Sequence, residues 1–127
     1  MSRSRVLVVD DDPAVRKLLR TTFGGDELEI AEAADGATAL ALAQACAPEL
    51  VVLDWNMPGL AGDEVLAELK RGLPDVRVIV LTADGRVRAR ALAADVFLTK
   101  PFSPLELLAT IDRLLAQGTS RTSSSPE

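Results

Sequence analysis

The sequence predicts an α/β protein in which five parallel strands are covered on both faces by helices. Two observations carry that expectation. Short runs rich in Val, Leu and Ile alternate with segments of helical period, and the alternation repeats five times before the chain turns polar. The strongest runs, VLVV at 6 to 9 and LVVL at 50 to 53, are apolar without interruption, as strands buried on both faces should be.

VLVV at 6 to 9 is the first strand. Asp12 and Pro13 then form a cap and first-turn pair, and Val15, Leu18, Leu19, Thr22 and Phe23 recur at helical spacing. Residues 28 to 31 read as a weaker second strand, after which Asp35-Gly36 opens an Ala/Leu helix that ends before Pro48. The third strand, 50 to 53, is followed by a helix near 63 to 71, a strand at 76 to 81, a short Arg/Ala helix near 86 to 93 and a last strand at 97 to 99. Ser103, Pro104 and Glu106 make a capping box with proline in the first helical position. The helix they start turns Leu107, Leu108, Ile111, Leu114 and Leu115 to the core and is expected to end at Gly118. Residues 1 to 117 thus form one domain, and 118 to 127 a polar tail with nothing to bury, expected to be disordered.

A chain of 127 residues can bury one core without disulfide or metal staples. Aromatic residues make up 3% of it, so Ala, Leu and Val must do the packing. The net charge of -5 argues against a general nucleic-acid binder. Arg86, Arg88 and Arg90 are a local exception, but on a helix only Arg86 and Arg90 share a face, which suits a solvated surface. Cys46 is the single cysteine and there is no histidine, which excludes an internal disulfide and a histidine base; Cys46 reads as a small core residue. The longest uncharged run, 36 to 48, is too short to span a bilayer and no secretory signal is visible, so a cytoplasmic protein is expected.

The residues that end the strong strands are polar. Asp10, Asp11 and Asp12 follow the first strand, Asp54 the third, Thr82 the fourth and Lys100 the fifth. Open parallel sheets bind ligands outside the carboxyl ends of their strands where strand order reverses, and in the order 2-1-3-4-5 that crevice lies between strands one and three. Asp10 and Asp11 then neighbour Asp54. Two carboxylates 5 Å apart repel by roughly 3 kcal/mol at an effective dielectric near 20, so the cluster needs a cation. Lys100 supplies one charge, and hard oxygens suit Mg²⁺, which takes one or two carboxylates together with a phosphate oxygen. A cap accounts for Asp12 before Pro13; it does not account for Asp10 and Asp11.

VLVVDDDPAVR at 6 to 16, VVLDWNMPGLAG at 51 to 62, VLTA at 80 to 83 and FLTKPF at 97 to 102 resemble, in that order, the signature stretches of the CheY-like receiver domain of two-component response regulators. The resemblance covers residues 5 to 117 and implies a flavodoxin-like doubly wound (βα)5 fold. It implies that Asp54 is the phosphoacceptor, with Asp11, Asp54 and the backbone carbonyl of Asn56 as Mg²⁺ ligands and Asp10 holding the ion through water. Thr82 and Lys100 would contact phosphoryl oxygens, the Lys100-Pro101 bond would be a cis peptide, and Thr82 with Phe97 would form the switch. Trp55 and Asp84 occupy positions thought to tune the phosphoryl lifetime. The implied donor is a phosphohistidine on a sensor histidine kinase or a histidine phosphotransfer protein. The implied output is a stand-alone receiver that binds a downstream protein as a monomer or a phosphorylation-dependent dimer, without nucleic acid or membrane.

One departure stands out: between Thr82 and Lys100 the chain is about four residues shorter than is usual, roughly one turn of the fourth helix. Two rival functions bear comparison. A haloacid-dehalogenase-like phosphohydrolase needs D-x-D-x-T on the first strand, and Ala14 stands where the threonine belongs. A phosphate-independent docking module would keep the fold and bind no Mg²⁺.

Overall fold

The computed structural model describes residues 4–23, 28–57, 59–86 and 93–124. Its strands are β1 (Ser4–Val9), β2 (Leu28–Ala33), β3 (Leu50–Asp54), β4 (Arg77–Thr82) and β5 (Val96–Thr99), all parallel and in the order β2-β1-β3-β4-β5. The described helices are α1 (Pro13–Phe23), α2 (Gly36–Cys46), α3 (Gly62–Gly72) and α4 (Pro104–Ser124). The short fourth helix expected near 86 to 93 falls on residues 87–92, which lie outside the described residues, as do Arg88 and Arg90.

Alternation along each strand sorts the core into two layers. Leu7, Val9, Val51, Leu53, Val78 and Val80 point to the side of α2 and α3, where Ala39, Ala43, Val65, Leu66 and Leu69 meet them. Val6, Val8, Leu50, Val52, Ile79 and Leu81 point to the other side, against Leu19 of α1 and Leu107, Ile111 and Leu114 of α4. A strand buried on both faces has no room for a polar side chain along its length. Its functional groups are therefore confined to its ends.

Several boundaries move outward from the apolar runs. β1 starts at Ser4 because Ser4 and Arg5 pair with Leu28 and Glu29, and β2 runs to Ala33 because the ladder continues to Val9. Pairing with a neighbour, not hydrophobicity, sets where a strand stops. α4 continues through Gly118 to Ser124. Once a helix is propagating, each residue adds a hydrogen bond, and one glycine costs only about 1 kcal/mol against that gain.

Caps close the helices as their sequences require. The Asp12 carboxylate accepts from the Ala14 amide at 2.9 Å, and Asp35 accepts from Thr38 at 2.8 Å. Glu64 accepts from the Ala61 amide at 3.1 Å, and Ser103 Oγ accepts from the Leu105 and Glu106 amides. α2 ends on Ala47 at φ 48, a left-handed position that alanine tolerates poorly.

Trp55 is 7% exposed and its indole lies over the start of α3, where a Cβ on Gly62 would come within 2.6 Å of the ring. Gly62→Ala should therefore lower the unfolding free energy by about 1–3 kcal/mol, through overpacking. Ala47→Gly should raise it by about 0.5–1 kcal/mol, the relief of the left-handed strain less the added freedom of the unfolded chain. Urea unfolding of the two variants should show these opposite signs, and equal shifts would contradict the packing described.

Candidate active site

β1 and β3 are neighbours in the sheet, with Val9 opposite Leu53. The residues that follow this pair, Asp10 on one strand and Asp54 on the other, emerge side by side at the carboxyl edge. Asp10, Asp11 and Asp54 each offer a carboxylate oxygen, and these oxygens lie within 4.8 Å of one another. Asp10 and Asp54 are buried, and Asp11 is exposed at the mouth.

Local donors hold the two buried carboxylates in place. The Asp12 amide donates to Asp10 Oδ1 at 2.9 Å as the chain turns into α1, and the Asn56 amide donates to Asp54 Oδ1 at 3.1 Å as β3 turns toward α3. Lys100 Nζ stands 3.2 Å from Asp54 Oδ1. The lysine follows the end of β5, where its amide donates to the Thr82 carbonyl at 2.7 Å; the Lys100-Pro101 peptide is cis. The sheet thus brings Asp10, Asp11, Asp54, Thr82 and Lys100 to one edge.

Asp10 Oδ2 is buried with no hydrogen-bond partner. Burial first, and then the charges of Asp54 and Asp11, push its carboxyl up from 3.8 to about 6; the Asp12 amide and Lys100 oppose that rise. A buried, unpartnered carboxylate oxygen facing two further carboxylates is a donor set that a hard divalent cation fits. Zinc would call for nitrogen or sulfur ligands, and no histidine exists in the chain.

Thr82 ends β4 with its hydroxyl buried and engaged by its own loop: Oγ1 accepts from the Asp84 amide at 3.0 Å and donates to the Asp84 carbonyl at 3.3 Å. Asp84 is in turn forked by Arg86, at 2.9 Å from Nη2 and 3.0 Å from Nε, which holds its carboxyl below the usual range. Phe97 is half-buried on β5 and packs against the layer under α2 and α3. The Trp55 side chain, next in sequence to Asp54, is buried with its large apolar surface against Gly62. The chain also carries a polar group that its sequence did not single out: Arg16 of α1, whose Nη1 donates to the Asp10 carbonyl at 2.7 Å while its Nε pairs with Glu32 of β2 at 3.3 Å. The signal available was Arg16 and Arg20 one turn apart, but nothing in it says which strand they meet.

A doubly wound sheet with acidic residues at its switch point and a lysine across from them defines a class of phosphate- and metal-handling α/β proteins. The chain matches the response regulator receiver domain over residues 6–112, and it belongs to that family. Similar proteins include the probable transcriptional regulator ycf27 of Cyanophora paradoxa, 42% identical over 91% of this chain and 49% of its own length. The transcriptional regulatory protein PrrA of Mycobacterium bovis is 44% identical over 95% of this chain and 54% of its own. The chain thus spans about half the length of the curated relatives it matches. Among solved structures, the response regulator TrrA of Thermotoga maritima in complex with Mg²⁺-BeF has 36% identity and a TM-score of 0.79, covering 87% of this chain and 98% of its own. CheY4 of Vibrio cholerae has a TM-score of 0.81 at 30% identity, covering 89% and 99%. Among the described residues no helix is long and apolar enough to cross a membrane.

The raised Asp10 carboxyl has a consequence for stability. The folded chain holds this proton more tightly than the unfolded chain, so the contribution is complete below about pH 3.8 and is lost as pH rises through about 6. In metal-free buffer the wild type should therefore lose on the order of 2 kcal/mol relative to Asp10→Asn between about pH 4 and pH 7. Parallel urea curves for the two proteins across this window would contradict the assignment.

Proposed function

We propose that this receiver accepts a phosphoryl group on Asp54 from a phosphohistidine donor, and that Asp10, Asp11, Asp54 and the backbone carbonyl of Asn56 form its magnesium site. The observation that carries the reading is the convergence of three carboxylates within 4.8 Å with a lysine ammonium 3.2 Å from one of them. The complex of the similar TrrA with Mg²⁺ and a beryllium fluoride supports it. Bound Mg²⁺ would neutralise the carboxylates and the incoming phosphoryl oxygens.

Asp54 attacks as the carboxylate, so no proton leaves it. A bond forms between its oxygen and phosphorus while the phosphorus–nitrogen bond of the donor breaks, and the electron pair returns to the imidazole. Such a transfer passes through a loose transition state and needs positioning and charge neutralisation above all. Lys100, already beside Asp54, supplies a positive charge for the phosphoryl oxygens. Thr82 is one strand away, on β4, and its hydroxyl must leave the Asp84 backbone to reach them. That movement, with a rearrangement of Phe97, is the switch by which phosphorylation reaches a partner surface. The chain's own residues support the phosphorylation step; the output is read by a downstream protein or by a domain of the kind its longer, transcription-regulating relatives carry. A cytoplasmic location follows from the proposed kinase partner.

A small acyl phosphate with Mg²⁺ should place one acid-stable, base-labile label on the chain, mapped to Asp54. Asp54→Asn should abolish it, and Lys100→Ala should slow its appearance by about 100-fold. A label mapped to Asp10 would instead sink the assignment.

A further inference from the structure

We infer that Arg16 is a positioning residue for the acidic pocket: by bridging the Asp10 carbonyl to Glu32, it fixes the turn between β1 and α1 that aims Asp10 and Asp11 at a shared cation. The inference deepens the magnesium reading above and rests on it. Its basis is the hydrogen bonding of one backbone group. The β1–β2 ladder ends where the Asp10 amide donates to the Ala33 carbonyl at 3.0 Å. Beyond that point β2 gives way to α2, and the Asp10 carbonyl takes its hydrogen bond from Arg16 Nη1 at 2.7 Å. A backbone carbonyl at a buried strand end requires such a partner.

The arginine is itself anchored. Its Nε lies 3.3 Å from Glu32 Oε1, and the other oxygen of that carboxylate pairs with Arg20, one turn further along α1. Arg16 is 21% and Glu32 24% exposed at the side chain, so the pair is far less screened than a surface contact. The planar fork of a guanidinium can serve a carbonyl and a carboxylate at once, which an ammonium does less well. Arg16 thus joins three elements at one atom of the metal-binding turn: the end of β1, the end of β2 and the first turns of α1. It meets the Asp10 main chain, at the carbonyl. It acts through the backbone of Asp10, whose carboxylate and that of Asp11 lie within reach of Asp54.

Electrostatics and positioning predict opposite results, which makes the inference testable. Removing a positive charge near a cation site should tighten Mg²⁺ binding on Coulomb grounds. Losing the clamp should weaken it. In Mg²⁺ titrations by calorimetry, well below the unfolding transition, Arg16→Ala should bind about tenfold more weakly than wild type. Arg16→Lys, which keeps the charge but not the fork, should fall between the two. Because Arg16→Lys leaves the charge in place, its weakening cannot be Coulombic, and it carries the test if Arg16→Ala fails to fold. Arg5→Ala, which breaks a similar pair with Glu29 at the far end of β1, should leave affinity unchanged. Labelling by an acyl phosphate should be impaired in Arg16→Ala at low Mg²⁺ and restored at saturating Mg²⁺. Unchanged or tighter binding in folded Arg16→Ala overturns the inference while leaving the magnesium site intact; no uptake by the wild type overturns both.

Discussion

Three carboxylates on two adjacent strand ends, within 4.8 Å of one another, are the constraint around which this protein is arranged. At an effective dielectric near 20, each pair at that distance repels by roughly 3 kcal/mol, more than a typical surface contact can offset. The apolar strands beneath hold the groups together despite this. Val8, Val9, Val52 and Leu53 are buried on both faces of the sheet, and β1 and β3 cannot separate without exposing both core layers. Packing energy on the order of 1.5–3 kcal/mol per buried side chain is thus set against charge repulsion at the edge.

The surrounding structure reduces that repulsion by several separate means. Lys100 reaches in from β5, held by its amide on the Thr82 carbonyl. The amides of Asp12 and Asn56 each donate to a carboxylate as their loops turn away. Asp10, the most enclosed, shifts its carboxyl to about 6. These compensations leave one buried oxygen of Asp10 without a partner, a deficit that the proposed divalent ion would fill.

The two core layers have different demands and different compositions. Under α2 and α3 the packing relies on small residues, with Ala39, Ala43 and Gly62 letting helices and the Trp55 ring approach closely. Under α1 and α4 it relies on Leu19, Leu107, Ile111 and Leu114. Trp55 shows how a residue next to the site in sequence can serve the core. The turn after Asp54 directs the indole down into the helix layer and leaves Asn56 exposed above. Thr82 presents the reverse case: buried, at the edge, and with a hydroxyl occupied by the backbone of its own loop.

The sequence by itself determined the alternation of strands and helices, the two-faced burial of the strands, and the list of polar residues at their carboxyl ends. Each of these follows from local pattern: uninterrupted apolar runs for buried strands, cap residues for helix starts, and isolated charges where burial must stop. Strand limits such as Ser4 and Ala33, the inward turn of Trp55 and the clamp of Arg16 on Asp10 were decided by tertiary structure. They depend on which distant segment lies alongside: a ladder partner for Ser4, the Gly62 surface for the indole, the end of β2 for the guanidinium. A chain's local pattern states what each residue needs, and only the assembled sheet determines which neighbour meets that need.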